Sequence, residues 1–463
     1  MGKSIIDHQE IQPKVASTAS VTNGNQNAKI YRREEANTLS SGNGNHHREL
    51  VNSIKESVES FEPPSISHKS CWIYRIPTCV CKMNEEAYTP EVISIGPFHH
   101  GNKRLEPMEK LKLKYFQRFL QRIDFNVEIL VNAIKLHEES VRGCYAESIK
   151  LSSDDFVKLI LVDGCFLIEF FYGLCFRGSQ SAIFEDHMLL NPLSWQAMMS
   201  DLQLLENQLP LFVLDILFSL ACAPDDEYPS FTLLAIDFFE RIRAQKLPQN
   251  LEADARHFAD LARAFFLPSL KLLRQRNLVC ADHLYTASQL YEAGVKFKVS
   301  SSKCLLDLKF TKGTLEIPCV KLYNQTETRY RNIIAFEQCH YPYESHFTNY
   351  IVLLSFLINT SKDVDLLIRK GIIINGLGSS NAVASFLNNL GTNVVYDGRN
   401  SAYCELFEDL NAFYENPKHT WKATLKRDYF STPWRIASTA AAGILLLLTL
   451  VQTICSIIQV VKM

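Results

Sequence analysis

Four residues in the stretch ISIGPFHHGNKRLEPMEK, His99, His100, Glu106 and Glu109, are of the types that hold zinc or iron. A working metal site needs at least three converging side chains, and adjacent histidines diverge in direction. Glu106 and Glu109 fall where a helix begins, and carboxylates there answer free N–H groups and the helix dipole without any metal. The residues favour a structural reading, in which Pro97 and Gly101 shape a turn and the imidazoles satisfy buried carbonyls.

A second signal is GIIINGLGSSNAVASF followed by NVVYD: a short apolar run, Gly376-x-Gly378, a helical stretch, and Asp397 at a distance of about 20 residues. In a dinucleotide site such glycines admit the pyrophosphate at a helix N-terminus and the acid takes a ribose hydroxyl. Here Asn381 stands in place of the third glycine, the first strand is very short, and no βαβ units precede it. The competing reading is a helix stop at Gly371, a turn at Asn375-Gly376 and a cap at Asn381.

Asp163 and Glu169 lie within an apolar helical run and Glu206 stands close to Pro210, so all three are candidate buried acids. Buried acids are catalytic when nothing pairs them and structural when a cation or backbone does; the structural reading is favoured here. Cys339 and His340 are sequence neighbours with nothing to mark the thiol as activated. No residue is assigned as catalytic, cofactor-binding or metal-ligating, no cofactor is expected, and the expectation is a protein that is not an enzyme.

The elements that must position these groups are mostly helices. From Leu105 the apolar positions Met108, Leu111, Tyr115, Phe116, Phe119, Leu120 and Ile123 recur at three- and four-residue steps, with Pro107 in the first turn. SSDDFVKLILVDGCFLIEFFYGL opens with Ser152 and Asp155 at capping-box spacing and reads as a central buried helix. SDLQLLENQLPLFVLDILF reads as a helix from Ser200 to Phe218 that Pro210 kinks or breaks. YTASQLYEAGVKF has a Thr286 cap and a Gly294 stop, LLDLKFTKGTLEIP reads as a hairpin turning near Lys312 and Gly313, and short capped helices are expected after Asn324 and Ser361. APDDEYPS and AQKLPQN read as surface loops.

The chain has 463 residues, of which 47% are hydrophobic and 21% charged, enough for a sizeable core. With 48 basic and 50 acidic residues its bulk charge does not recruit nucleic acid. Residues 1–68 are polar and read as a disordered arm without a secretory signal or myristoylation motif; residues 69–429 form the helical body. Residues 436–461 contain no charge and are long enough to span a bilayer once, with two residues after them as in tail-anchored proteins. Lys418, Lys422, Lys426, Arg427 and Arg435 precede the span and Lys462 follows it, which predicts a cytosolic body; Trp421, Tyr429 and Trp434 suit the headgroup level. The 13 cysteines, without a CxxC pair, are expected as free thiols, and the sequons at Asn324 and Asn359 as silent. Lys110, Lys112 and Lys114 belong to a locally basic stretch that either contacts anionic lipid or is simply a solvated helix face.

CWIYRIPTCVCKMNEEAYTPEVISIGPFHHG, LEPMEKLKLKYFQRFL, LVDGCFLIEFF, DLQLLENQLPLFVL, GVKF, RNIIAFEQC, DVDLLIRKGIIINGLG and YFSTPWRIASTAAAGILLLLTLVQT stand in the order and spacing of the plant domain-of-unknown-function family 247, which the chain resembles from about Cys71 onward. The resemblance implies a plant membrane protein of largely helical build, with no established activity, cofactor or catalytic residue; some members are implicated in recognition during grass self-incompatibility. Together these readings give a mainly α protein: an irregular helical body with a minor β-hairpin and one C-terminal transmembrane helix. It is expected to bind or recognise a protein partner, with an uncharacterised membrane-bound enzyme acting near Gly376 and Gly378 or through the acids as the alternative.

Overall fold

The computed structural model describes residues 44–59, 71–123, 126–176, 191–221, 228–243, 247, 255–267, 283–392, 394–396, 403–429 and 432–461. It divides into two units, residues 1–65 and 66–463. In the first, α1 (Gly44–Glu59) corrects part of the disordered arm. Leu50, Ile54 and Val58 recur one turn apart and are all exposed, so an amphipathic stripe sits inside a segment whose composition is polar overall. The rest of the arm lies outside the described residues, as do Lys462, Asp397 and residues 223–227, 244–246 and 248–250 of the two surface loops.

Among the described residues the second unit has two large apolar cores and a smaller cluster around Phe336. In the first, α2 (Glu106–Arg122) and α3 (Val127–Gly143) pack on α4 (Ser153–Phe176), followed by α5 (Pro192–Asp201), α6 (Leu211–Ala221), α7 (Phe231–Arg243) and α8 (Phe258–Ala264). The Ser152 hydroxyl accepts from Asp155 N–H and donates to its carboxylate, which places the start of α4 where the spacing does. Phe171 at the centre has ring contacts at 4.9–6.0 Å with Phe170, Phe231, Phe238, Phe239 and Phe258.

The predicted helix from Ser200 to Phe218 does not form as one rod. α5 ends at Asp201, residues 202–210 fold back in turns, and α6 starts at Leu211. Pro210 cannot donate within a helix, and the side chains of Asn207 and Gln208 bond backbone groups that a helix would otherwise have paired.

The second core is formed by α9 (Ala287–Glu292), α10 (Asn324–His340), α11 (His346–Leu357), α12 (Ser361–Arg369), α13 (Ser380–Leu390) and α14 (Cys404–Glu415) with two small sheets. Thr286 and Gln289 form the expected capping box of α9, and Gly294 ends it at φ +103°. The hairpin β2 (Lys309–Thr311) to β3 (Thr314–Ile317) is present with its turn at Lys312 and Gly313, but β1 (Lys296–Val299) also pairs with β3 in parallel. β4 (Val320–Leu322) and β5 (Ile373–Asn375) make a second, parallel pair. The helix after Asn324 runs for 17 residues and is not short.

α15 (Pro417–Tyr429) packs against α9 and α14 and leads into α16 (Pro433–Val461), which is long and apolar enough to cross a membrane and has no buried residue. Cys404 is disulfide-bonded, which corrects the expectation that every thiol is free. Cys71, Cys144, Cys165 and Cys339 are among the free thiols.

Replacing Phe171 with Ala removes a ring that is fully buried, and should cost about 3–5 kcal/mol. Leu136→Ala, on a residue 81% exposed, should stay within about 0.5 kcal/mol. Thermal unfolding of the full chain in detergent micelles checks both; equal effects would refute the aromatic centre.

Candidate functional site

The histidine loop, the start of α2, the middle of α4 and the 201–208 turn meet in one buried polar cluster. Asp163 on α4 accepts from Gly96 N–H at 2.8 Å with one oxygen and from Lys112 Nζ at 2.7 Å with the other. Lys112 also donates to Glu109 at 2.7 Å and to the Ser94 carbonyl, and its side chain has no exposure. Burial pushes the Asp163 carboxyl up, and Lys112 and the Gly96 N–H pull it back. The pair is an ion pair enclosed by backbone.

The neighbouring turn acts on backbone in the same manner. Asp201 accepts from Glu91, Val92 and Ile93 N–H at 2.7–2.9 Å, against a burial that raises its pKa to about 6. Glu206 accepts from Ile76 N–H at 2.7 Å and from Arg75 at 3.0 Å. Asn207 accepts from Ile95 N–H and donates to the Ile93 and Asp201 carbonyls, and Gln208 accepts from Phe258 N–H while donating to those of Leu202 and Leu204. A Cβ on Gly96 would lie 2.4 Å from the Gln208 carbonyl oxygen, so glycine is required there as well as by its φ of +76°.

His99 and His100 do not act together. His100 is exposed, whereas His99 Nε2 lies 3.5 Å from Glu206, outside hydrogen-bond contact. Burial, with the Arg75 guanidinium adding to it, lowers the His99 pKa to about 4, so the ring is neutral. Glu106 is exposed and pairs with Lys110 at 3.4 Å. Among the described residues no three His, Cys, Asp or Glu side chains are grouped to hold a metal. The expected contact between imidazoles and buried carbonyls is absent at His99 and occurs instead at His257, whose Nε2 lies 3.1 Å from the Trp72 carbonyl.

The basic stretch of α2 is only partly exposed. Lys110 and Lys114 are exposed, but Lys112 is inside, Arg122 pairs with Glu169 and the Ala221 carbonyl, and Arg118 lies over the Tyr115 ring. The position of Lys112 one step from Leu111 puts it on the side that packs on α4.

At the Gly-x-Gly segment, a Cβ on Gly376 would fall 2.3 Å from the Tyr323 ring and 2.8 Å from the Leu322 carbonyl, so that glycine admits β4 backbone and its neighbour. Gly378 takes φ +94°, and the N-cap of α13 is Ser379, whose hydroxyl accepts from Ala382 N–H. Asn381, expected as the cap, lies inside the helix. Gly371 ends α12 at φ +72°, as expected. Cys339 has its pKa raised to about 11 by burial, and His340 is lowered to about 4 by burial and then by Arg256, so the two neighbours form no activated thiol. His340 Nδ1 meets Tyr74 OH at 2.8 Å and Arg256 approaches its other nitrogen.

The polar residues that sequence reasoning passed over are Asp201, Asn207, Gln208 and Arg75. The available signal was the run of polar side chains in an apolar segment, ENQ in LLENQLPLF.

Residues 73–448 match the family described as "Plant protein of unknown function". Two proteins of Arabidopsis thaliana are similar over most of their length. UPF0481 protein At3g47200 is 29% identical over 442 residues, covering 89% of this chain and 90% of that protein. Putative UPF0481 protein At3g02645 is 24% identical over 514 residues, covering 88% and 94%. No solved structure matches the chain.

Lys112→Met leaves the Asp163 carboxylate buried without its cation and should cost about 3–5 kcal/mol. Adding Asp163→Asn should restore a good part, while Lys110→Gln with Lys114→Gln should stay near zero in the same unfolding assay. A harmless Lys112→Met would sink the enclosed pair. The His99 ring supplies a pH test. Its folded pKa lies below the ~6.5 of a free imidazole, so the unfolded chain takes the proton first; the stability is full above about 6.5 and is lost as pH falls toward 4. Between pH 7 and pH 5 wild type should lose on the order of 2 kcal/mol more than His99→Gln. Parallel pH profiles for the two would show that His99 is not held neutral.

Proposed function

Because the chain belongs to the plant DUF247 family of unknown function, its role is read from its own surfaces, and we propose that it is a membrane-anchored interaction protein and not an enzyme. The observation that carries the anchor is α16: 29 residues, about 43 Å at 1.5 Å per residue, with no residue buried and a hydrocarbon layer of ~30 Å to cross. α15 supports it. Trp421, Leu425 and Tyr429 stand at four-residue steps and are exposed, and Trp434 follows at 84% exposure. On another side of the same helix Ala423 packs on Gly294 and His419 stacks on Phe413 at 4.0 Å. These contacts support a place for α15 between the body and the headgroups, where aromatic rings are favoured.

The interaction reading is supported by how the candidate catalytic groups are used. Asp163, Glu169 and Glu206 are each paired, and Gly376 accommodates a neighbouring strand. The basic residues before the span favour a cytosolic body. A reversed orientation is favoured by one observation, the Cys404 disulfide, since such bonds persist in oxidising compartments.

Deleting residues 433–463 should release the protein from a carbonate-resistant membrane pellet, and retention in the pellet would refute the single anchor. In sealed vesicles an added protease should digest the body. Protection of the body together with a glycan on Asn324 or Asn359, both exposed, would establish the reverse orientation.

A further inference from the structure

Two arginines from different helices converge on one neutral acceptor. Arg243 closes α7 and Arg329 stands in the second turn of α10. Arg243 Nη2 donates to Gln203 Oε1 at 3.2 Å, and Arg329 Nε donates to the same oxygen at 3.0 Å. The two donor nitrogens are therefore no more than about 6 Å apart, a gap that one oxyanion spans with two charge-assisted hydrogen bonds of about 2.8 Å. Gln203 is buried, and its amide nitrogen donates to the Met199 carbonyl at 2.6 Å, which fixes its oxygen toward the cations. Arg243 also lies over the Phe265 and Phe266 rings, 4.8 and 5.5 Å from their centroids.

Elsewhere in the described residues, four arginines with little exposure each have a glutamate, Arg122 with Glu169, Arg142 with Glu138, Arg263 with Glu337 and Arg331 with Glu327, while Arg256 meets His340. Neither Arg243 nor Arg329 is paired with a carboxylate among those residues. Burial lowers both arginines, and for Arg243 the second guanidinium adds to the effect. A guanidinium stays protonated in a protein, so the repulsion persists as a cost that an anion relieves. Both residues keep some surface, so the enclosed guanidiniums lie near the outside of the body.

We propose that Arg243, Arg329 and Gln203 form a binding site for a phosphate group, free or carried by a phosphomonoester. Two cations call for about two negative charges, and a phosphomonoester carries about −1.5 to −2 near neutrality where a carboxylate carries one. Each guanidinium spends a single N–H on Gln203, leaving others in the planar fork that suits phosphate oxygens.

The test heats the full-length protein in phosphatidylcholine nanodiscs in chloride, acetate or inorganic phosphate at equal ionic strength, and separately in nanodiscs containing phosphatidic acid. Phosphate should raise Tm by about 2–4 °C over chloride, and acetate should not. A rise with phosphatidic acid alone would assign the site to a lipid headgroup. Arg243→Gln and Arg329→Gln should each abolish the rise, whichever source produces it. If either variant fails to fold, Arg329→Lys, which keeps the charge and loses the fork, should reduce it. No rise with either phosphate source, an equal rise in acetate, or a rise that survives in the variants would overturn the proposal.

Discussion

The structure depends on satisfying buried backbone that belongs to neither helix nor sheet. Residues 91–96 and 202–210 run through the first core with few regular partners, and an unpaired buried N–H costs about as much as a lost hydrogen bond. Asp201, Glu206, Asn207 and Gln208 supply the acceptors, reaching N–H groups of residues 76, 91–93, 95 and 258. Asp163 supplies another for Gly96. A charge used in this way needs a counter-charge, and Lys112 is drawn inside to provide it.

This requirement explains why residue types common in catalytic centres are used here on backbone groups and on one another. Acids in apolar helices, a histidine pair and a polar triplet beside a proline are marks of a catalytic centre. Here the acids and the triplet tie together distant segments, as Gly96 is tied to Asp163, 67 residues on, and Ile76 to Glu206, 130 residues on, while the two histidines do not converge. Glu337 does the same in the second core, accepting from Arg263, from the hydroxyl of Thr348 and from the N–H groups of Phe347 and Thr348 at the start of α11. The two arginines on Gln203 differ, because they bring two like charges together without an acid.

The local parts of the fold were legible because their causes are local. Apolar residues at three- and four-residue steps mark α2, a long and almost wholly apolar run with hydroxyl-to-acid spacing at its start marks α4, and Thr286 with Gln289 marks the start of α9. Charge-free length marks α16. Composition misled at α1, where four apolar residues in a polar segment were enough for a stripe, and the hairpin reading missed the parallel partner of β3 because strands of four residues carry little pattern.

What the sequence by itself determined is therefore the class of the fold, the starts of α4 and α9, the apolar C-terminal helix and the family pattern. All of these follow from neighbours within a turn or two along the chain. The tertiary structure alone decided that Lys112 is a buried counter-ion and not a surface charge, that residues 202–210 leave the helix to clamp distant backbone, and that Arg243 and Arg329 face one another. Each depends on groups between 40 and about 130 residues apart, whose desolvation and pairing are set only when the helices pack.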